Sequence, residues 1–271
     1  MLKLGLLGHP LSHSFSAGLF SCLNRRFNLE ASYENFDIPA DRVGEFFHFA
    51  LKNLDGFNIT VPYKLKPFEF PDIFTFDAAA LMIGAINTVR VDGSKLMGYN
   101  TDFIGFIKPI KKRRFKTVLV FGAGGAARAV IYALHNKKVM IFNRTRKHAE
   151  EIARQFNNTA VVENISKALR DADLVVNATS VGLHGEEFYL LRGIKVGDLS
   201  GKLFYDLIYN PPITDFLKFG IEHGAEPLNG FKMLLYQAIE NIKIWTGKNL
   251  EMEVFECSKF LQPVNRMANT L

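Results

Sequence analysis

The chain has 271 residues, 48% hydrophobic and 22% charged, with a formal net charge of +6 and a pI of about 9.2. That balance is ordinary for a globular protein with one or two full cores and excludes a disordered or low-complexity chain. The only two cysteines, Cys22 and Cys257, have no metal or redox spacing, which argues against a disulfide scaffold and predicts a reducing, cytoplasmic setting.

The apolar run at the start is short and is broken at Gly5 and Gly8, so it does not read as a signal peptide. No run approaches a membrane span, and no membrane partner is expected. The positive charge suits anionic ligands. Its densest cluster, Lys108, Lys111, Lys112, Arg113, Arg114 and Lys116, has no interleaved aromatic residues. It reads as an exposed helix end, not as a nucleic-acid site.

In chain order, the apolar patterns predict a strand over 3–7, an amphipathic helix over 16–27, a strand over 31–36, a helix over 41–51 and a strand over 57–61. Such alternation implies a parallel or mixed sheet covered by helices. Asp92-Gly93, central in 90–96, predicts a hairpin. A helix over 102–110 bridges into a second domain. There, strands are expected over 118–121, 139–142, 174–176 and 203–207, with helices starting near Gly125, Thr145 and Ile165. A helix over 214–223 follows Asn210-Pro211-Pro212, and the tail reads as helical over 231–245 and 252–261. The expected class is α/β: a mixed-sheet domain over 1–101, completed by about 231–271 packing back on it, and a Rossmann-like domain over 102–230.

The second domain opens on a β-branched run that passes into Gly122, Ala123, Gly124, Gly125, Ala126 and Ala127, the G-x-G-x-x-G/A spacing. Gly122 allows a tight turn out of the strand, and Gly124 lets backbone approach a pyrophosphate. Ala127 lets the helix pack close, with its N-terminus facing the phosphate charge. About 20 residues after the glycines, such folds place an acid for the ribose 2′-hydroxyl. Here Asn143, Arg144, Thr145, Arg146, Lys147 and His148 stand instead, and no acid precedes Glu150. Arginine pairs bidentately with phosphate whereas a carboxylate repels it, so NADP is expected over NAD.

Polar clusters at loops and strand ends are where sites usually lie. They are His13-Ser14-Phe15-Ser16, Asn58 to Lys64, Gly84 to Thr88, Asn100-Thr101-Asp102, and Gln237 near the end. Serine, asparagine, threonine and glutamine suit a polyhydroxylated small molecule. Taken alone, Ser14 or Ser16 reads equally as a helix cap, Lys64 as a surface lysine after a proline turn, and Asp102 as a helix cap.

Taken together, these motifs resemble the shikimate dehydrogenase family along nearly the whole chain. The matching residues run in order from Gly8, Pro10, His13, Ser14 and Ser16, through Asn58, Thr60, Pro62 and Lys64, to Gly84–Thr88 and Asn100–Gly105. They continue through the glycine turn, Asn143-Arg144-Thr145, Asn177–Gly182 and Tyr205–Pro211, and close on Gly230, Met233 and Gln237.

The resemblance implies reversible NADPH-dependent reduction of 3-dehydroshikimate to shikimate. It implies that Ser14 and Ser16 hold the substrate carboxylate with Tyr209 nearby, and that Thr60, Asn87, Asp102 and Gln237 bind its hydroxyls. Lys64 and Asp102 would be the catalytic pair. Gly122, Ala123, Gly124, Gly125 and Ala126 would hold the pyrophosphate, and Asn143, Arg144, Thr145 and Arg146 the adenosine phosphate end. Leu207, Gly230 and Met233 would lie near the nicotinamide, and the site would lie in a cleft between the domains. Hydride transfer to a ketone builds charge on its oxygen, which a lysine can neutralise without a metal. His148 stands where a second adenosine-side arginine often lies, Ala17 where proline is usual and Tyr63 where histidine is frequent.

The nearest alternative is a quinate/shikimate dehydrogenase with broader substrate or NAD use. A non-catalytic ligand sensor fits less well, given Lys64 and Asp102, and a bicyclic folate dehydrogenase gives no reason for the paired serines. A monomer or homodimer acting on small molecules is expected.

Overall fold

The computed structural model describes residues 1–11 and 15–250. Its described residues divide into one unit of Met1–Asp102 with residues 235–250, and another of Phe103–Leu234. The expected helix over 252–261 lies outside the described residues.

The first unit begins with β1 (Leu2–Gly8), buried from Leu4 onward. In α1 (Ser16–Phe27), Leu19, Phe20, Cys22 and Leu23 form the buried stripe, and Arg25 and Arg26 favour its C-terminal dipole. Phe15, not a serine, takes the capping position and makes no side-chain cap bond, so Ser16 is the first helical residue and not the cap. β2 (Ala31–Asp37) runs parallel to β1, from Leu2 opposite Ala31 to Gly8 opposite Asp37. α2 (Val43–Asn53) buries Val43, Phe46, Phe47 and Ala50, one face at i, i+3, i+4 and i+7. β3 (Gly56–Ile59) pairs parallel on the other side of β1. It stops short of the expected 61 because the chain turns at the cis Val61-Pro62 bond, and proline has no N–H for the ladder.

Two further elements carry no signal in the sequence pattern, β4 (Phe74–Phe76) and α3 (Ala78–Ile83). The strand is too short to show alternation. The helix is set by its ends: the Asp77 carboxylate accepts from Ala80 N at 2.7 Å, and Gly84 terminates it at φ 68°. β5 (Thr88–Asp92) and β6 (Lys95–Tyr99) form the expected hairpin. The sheet order is β2-β1-β3-β5-β6-β4, antiparallel only at β3/β5 and β5/β6. Aromatic edge-to-face contacts fill its core, among them Phe46 on Phe57 at 5.3 Å and Phe47 on Phe74 at 4.8 Å.

α4 (Asp102–Ile107) leads into the second unit. A 3-10 turn, Lys108–Ile110, replaces the end of the expected helix because Pro109 cannot continue an α-helical ladder. Strand and helix then alternate: β7 (Thr117–Phe121), α5 (Gly125–Ala133), β8 (Lys138–Phe142), α6 (Arg146–Gln155), β9 (Thr159–Val161), α7 (Ile165–Asp171) and β10 (Leu174–Asn177). β11 (Leu203–Asp206), α8 (Asp215–Glu222) and β12 (Glu226–Leu228) complete it. All six strands are parallel, in the order β12-β11-β10-β7-β8-β9. The three-residue edge strands β9 and β12 are again too short to announce themselves. α9 (Phe231–Thr246) starts in the second unit and ends in the first. No helix among the described residues is long and apolar enough to cross a membrane.

Strand order in this sheet reverses between β7 and β10, and Gly122 sits there at φ 109°. A Cβ on Gly122 would also lie 2.8 Å from the Ala178 carbonyl oxygen. Gly122→Ala is therefore expected to destabilise the protein by roughly 1–3 kcal/mol, read as a lower urea midpoint; an unchanged midpoint would show that the turn does not need glycine.

Candidate active site

In the first unit, Lys64 is carried by the turn after β3. Backbone bonds hold this turn on both sides: Tyr63 N donates to Thr60 O at 2.9 Å, and Ile86 N donates to Lys64 O at 2.8 Å. The Tyr63 ring is buried and its hydroxyl donates to Ile38 O at 2.7 Å. Lys64 Nζ donates to Asp102 Oδ2 at 2.5 Å, with the two side chains only 15% and 6% exposed. Asp102 opens α4, and its own N–H donates to Asn100 Oδ1 at 3.0 Å. The second carboxylate oxygen accepts from Asn87 Nδ2 at 3.0 Å.

Asn87 is the centre of a buried polar network. Its amide also faces Thr101 Oγ1 at 2.9 Å and Gln237 Oε1 at 3.2 Å. Its carbonyl oxygen accepts from Thr101 N at 2.7 Å. The Thr88 and Thr101 hydroxyls each donate to Asn241 Oδ1 at 2.7 Å, and Asn241 Nδ2 donates to Gln237 Oε1 at 3.0 Å. Asn58 joins from β3, donating to Asn87 O at 3.0 Å and accepting from the Tyr33 hydroxyl at 2.9 Å. Lys64, Asn87, Asp102 and Gln237 are thus brought together, as the family resemblance implies, with Thr60 half-buried in the turn that carries Lys64.

Thr88, Thr101 and Asn241 complete the network without having been singled out as site residues. The signal for Asn241 is present in the sequence: it stands four residues after Gln237 and so shares its face of α9.

Ser14 lies outside the described residues. Ser16 is half-buried in the first turn of α1.

The second unit presents its glycine turn between β7 and α5. Gly124 is the N-terminal flanking residue of α5 and is exposed, and a Cβ built on it would meet no protein atom within 4 Å. The helix N-terminus therefore faces open space, free of a side chain, as a pyrophosphate requires. The residues present fit a dinucleotide.

Two strands across the sheet from this turn, beyond β10, Asp206 at the end of β11 is fully buried. It accepts from Thr214 Oγ1 at 2.5 Å, Ile208 N at 2.9 Å and Asn177 Nδ2 at 3.0 Å. These bonds tie together the end of β10, the chain after β11 and the start of α8. Leu207 and Gly230 are in tight contact: Gly230 N donates to Ile208 O at 3.0 Å, and any Cβ on Gly230 would collide with Leu207 O. Met233 is buried in the core of this unit, and Tyr209 is half-buried just past β11.

At the exit of β8, Asn143 Nδ2 donates to Thr145 O at 2.9 Å and shapes the turn. Arg144, Thr145, Arg146 and Lys147 are all exposed. Arg146 is paired with Glu150 and with Glu163, whose place beside this exit is not visible in the sequence.

A parallel sheet whose order reversal faces an open helix N-terminus is that of the dinucleotide-binding α/β proteins, joined here to a second α/β unit that buries a lysine against a carboxylate. Comparison with known proteins narrows the class. The family described as shikimate dehydrogenase substrate binding domain matches residues 6–89, and shikimate / quinate 5-dehydrogenase matches residues 108–184. A shikimate dehydrogenase (NADP(+)) of Nitrosopumilus maritimus is 36% identical over 257 residues, covering 89% of this chain and 92% of that protein. The crystal structure of shikimate dehydrogenase from Aquifex aeolicus is 35% identical and covers 98% of each chain, with a TM-score of 0.84. That of shikimate 5-dehydrogenase from Thermus thermophilus, in complex with NADP(H) and shikimate, is 30% identical and covers 98% of this chain and 99% of that one, with a TM-score of 0.81. The chain belongs to the shikimate dehydrogenase family.

Asp206 has a measurable signature. Burial pushes its carboxyl from 3.8 up to about 6, against the pull of its three donors. The folded state therefore takes up a proton between those values, and this group lowers stability as pH rises through the window. Asp206→Asn should remove that component, so the urea midpoint of the wild type should fall more steeply than the variant's between about pH 4 and pH 6. Parallel curves would show that Asp206 keeps an ordinary carboxylate pKa.

Proposed function

We propose that the chain catalyses the reversible, NADPH-dependent reduction of 3-dehydroshikimate to shikimate, the reaction of the aromatic amino-acid pathway that its relatives are named for. The observation that carries this reading is the buried Lys64–Asp102 pair at 2.5 Å, held by Asn87 beside Gln237. A ketone becomes an alcohol when its carbon gains a hydride and its oxygen gains a proton. When bound, NADPH supplies the hydride. Lys64 donates a proton from Nζ to the oxygen as negative charge develops there, and water restores that proton. In the reverse direction, Lys64 takes the proton from the hydroxyl. Asp102 orients Nζ and accepts from a substrate hydroxyl, and Asn87, Thr60 and Gln237 read the remaining hydroxyls. Family resemblance supports Ser14, Ser16 and Tyr209 as the partners of the substrate carboxylate.

The first unit, with the return of α9, then binds substrate, and the second binds NADP. Gly122, Ala123, Gly124, Gly125 and Ala126 take the pyrophosphate, and Asn143, Arg144 and Thr145 the adenosine phosphate end; Arg146, expected there too, is instead engaged by Glu150 and Glu163. Leu207, Gly230 and Met233 line the nicotinamide side. The chain acts in the cytoplasm, as a monomer or homodimer, without nucleic acid or membrane.

Lys64→Ala is expected to lower kcat by about 10²–10⁴ with shikimate affinity nearly intact, as for a lost acid–base group. Steady-state rates and equilibrium titration read both quantities, and an unchanged kcat would overturn the role of Lys64. The same assay decides between readings, because faster turnover of quinate with NAD than of shikimate with NADP would make this a quinate/shikimate dehydrogenase of broader use. Arg144→Asp should weaken NADP binding at least about tenfold more than NAD binding, since a carboxylate would face the 2′-phosphate. Equal loss for both dinucleotides would remove Arg144 from phosphate recognition.

A further inference from the structure

The exits of β8 and β9 lie side by side. Ile141 pairs with Val161, and Val162 N donates to Ile141 O at 3.0 Å, so the ladder continues past β9. This alignment brings Glu163 next to Arg146, the first residue of α6. Arg146 Nε donates to Glu150 Oε1 at 2.6 Å, and its Nη1 pairs with Glu163 Oε1. Arg144 and Lys147, by contrast, are exposed and make no ion pair with a carboxylate among the described residues. Three cations and two carboxylates therefore share one exit; Glu163 is paired with Arg146, and Glu150 is divided between Arg146 and Arg154.

We infer that Glu163 is a specificity-determining residue for the dinucleotide: by holding Arg146 in an ion pair it keeps that arginine off the 2′-phosphate, leaves Arg144 as the phosphate's cation, and so moderates the preference for NADP over NAD. The inference rests on the reading that this exit receives the adenosine end of NADP. A guanidinium already engaged through Nε and Nη1 has to give up a carboxylate before it can bind phosphate in the same forked geometry. Both partners are solvent-exposed, with side chains 60% and 76% accessible, so water and salt screen the pair. The expected effect is accordingly a few-fold change in affinity.

Equilibrium titration of the full chain with NADP⁺, NAD⁺ and 2′,5′-ADP at low ionic strength tests this without turnover. Glu163→Gln should tighten NADP⁺ and 2′,5′-ADP by about two- to fivefold and leave NAD⁺ nearly unchanged. Arg146→Gln alone should change NADP⁺ affinity by less than about twofold, and in the double variant it should remove most of the gain. Exposed substitutions of this kind leave the fold intact. An unchanged ratio of NADP⁺ to NAD⁺ affinity in Glu163→Gln, or a gain undiminished by loss of Arg146, overturns the inference while leaving the NADP reading in place. Failure of the wild type to bind 2′,5′-ADP at all overturns both.

Discussion

Taking a lysine and an aspartate out of water is costly, several kcal/mol per ion even after the protein relaxes, and their attraction offsets that only when the remaining valences are filled. The Lys64–Asp102 pair meets this condition through one carboxamide. Asn87 donates to Asp102, and the Thr101 N–H and Gln237 hold Asn87 in the orientation that does so. Asn241 in turn holds Thr88, Thr101 and Gln237. The pair therefore depends on five places in the chain at once: the turn after β3, the start of β5, the end of β6, the opening of α4 and one face of α9. Sheet order in the first unit serves that convergence. β3 and β5 are neighbours, so Lys64 and Asn87 emerge at adjoining ends, and the hairpin to β6 returns the chain to Asp102.

The return of α9 is fixed as tightly. Trp245 Nε1 donates to Val89 O at 2.8 Å, and Gly56 leaves the room its indole occupies. A larger residue at Gly56 would push against Trp245 and the Val89 carbonyl and, through α9, against Gln237 and Asn241. A position remote from the ion pair thus bears on its geometry, because interiors are close-packed and transmit displacement.

The second unit works on a different principle. Its candidate site is a helix end whose backbone N–H groups are left open by glycine, with the scaffolding behind them. Asp206 is the clearest case: a buried carboxyl that ties Asn177, Ile208 and Thr214 into one block. At the β8 exit the charge balance is shared between neighbouring strands, since Arg146 pairs with Glu150 on its own helix and with Glu163 past β9.

Much of this was legible in the sequence. The glycine turn, the parallel alternation of the second unit, the hairpin at Asp92-Gly93 and the bounds of α1 follow from local patterns, because periodicity and turn chemistry act within a few residues. The pairing of Lys64 with Asp102 was legible only through family resemblance, since nothing local joins residues 38 positions apart. The short edge strands β4, β9 and β12 carry too few residues to show alternation, and form because a neighbouring strand offers free N–H and C=O groups. What only the tertiary structure decided is which polar groups share a buried space and which charges face each other. Asn241 enters the Asn87 network, and Glu163 reaches Arg146, through strand register and helix return. Those are long-range outcomes of burying the apolar faces, and no local pattern encodes them.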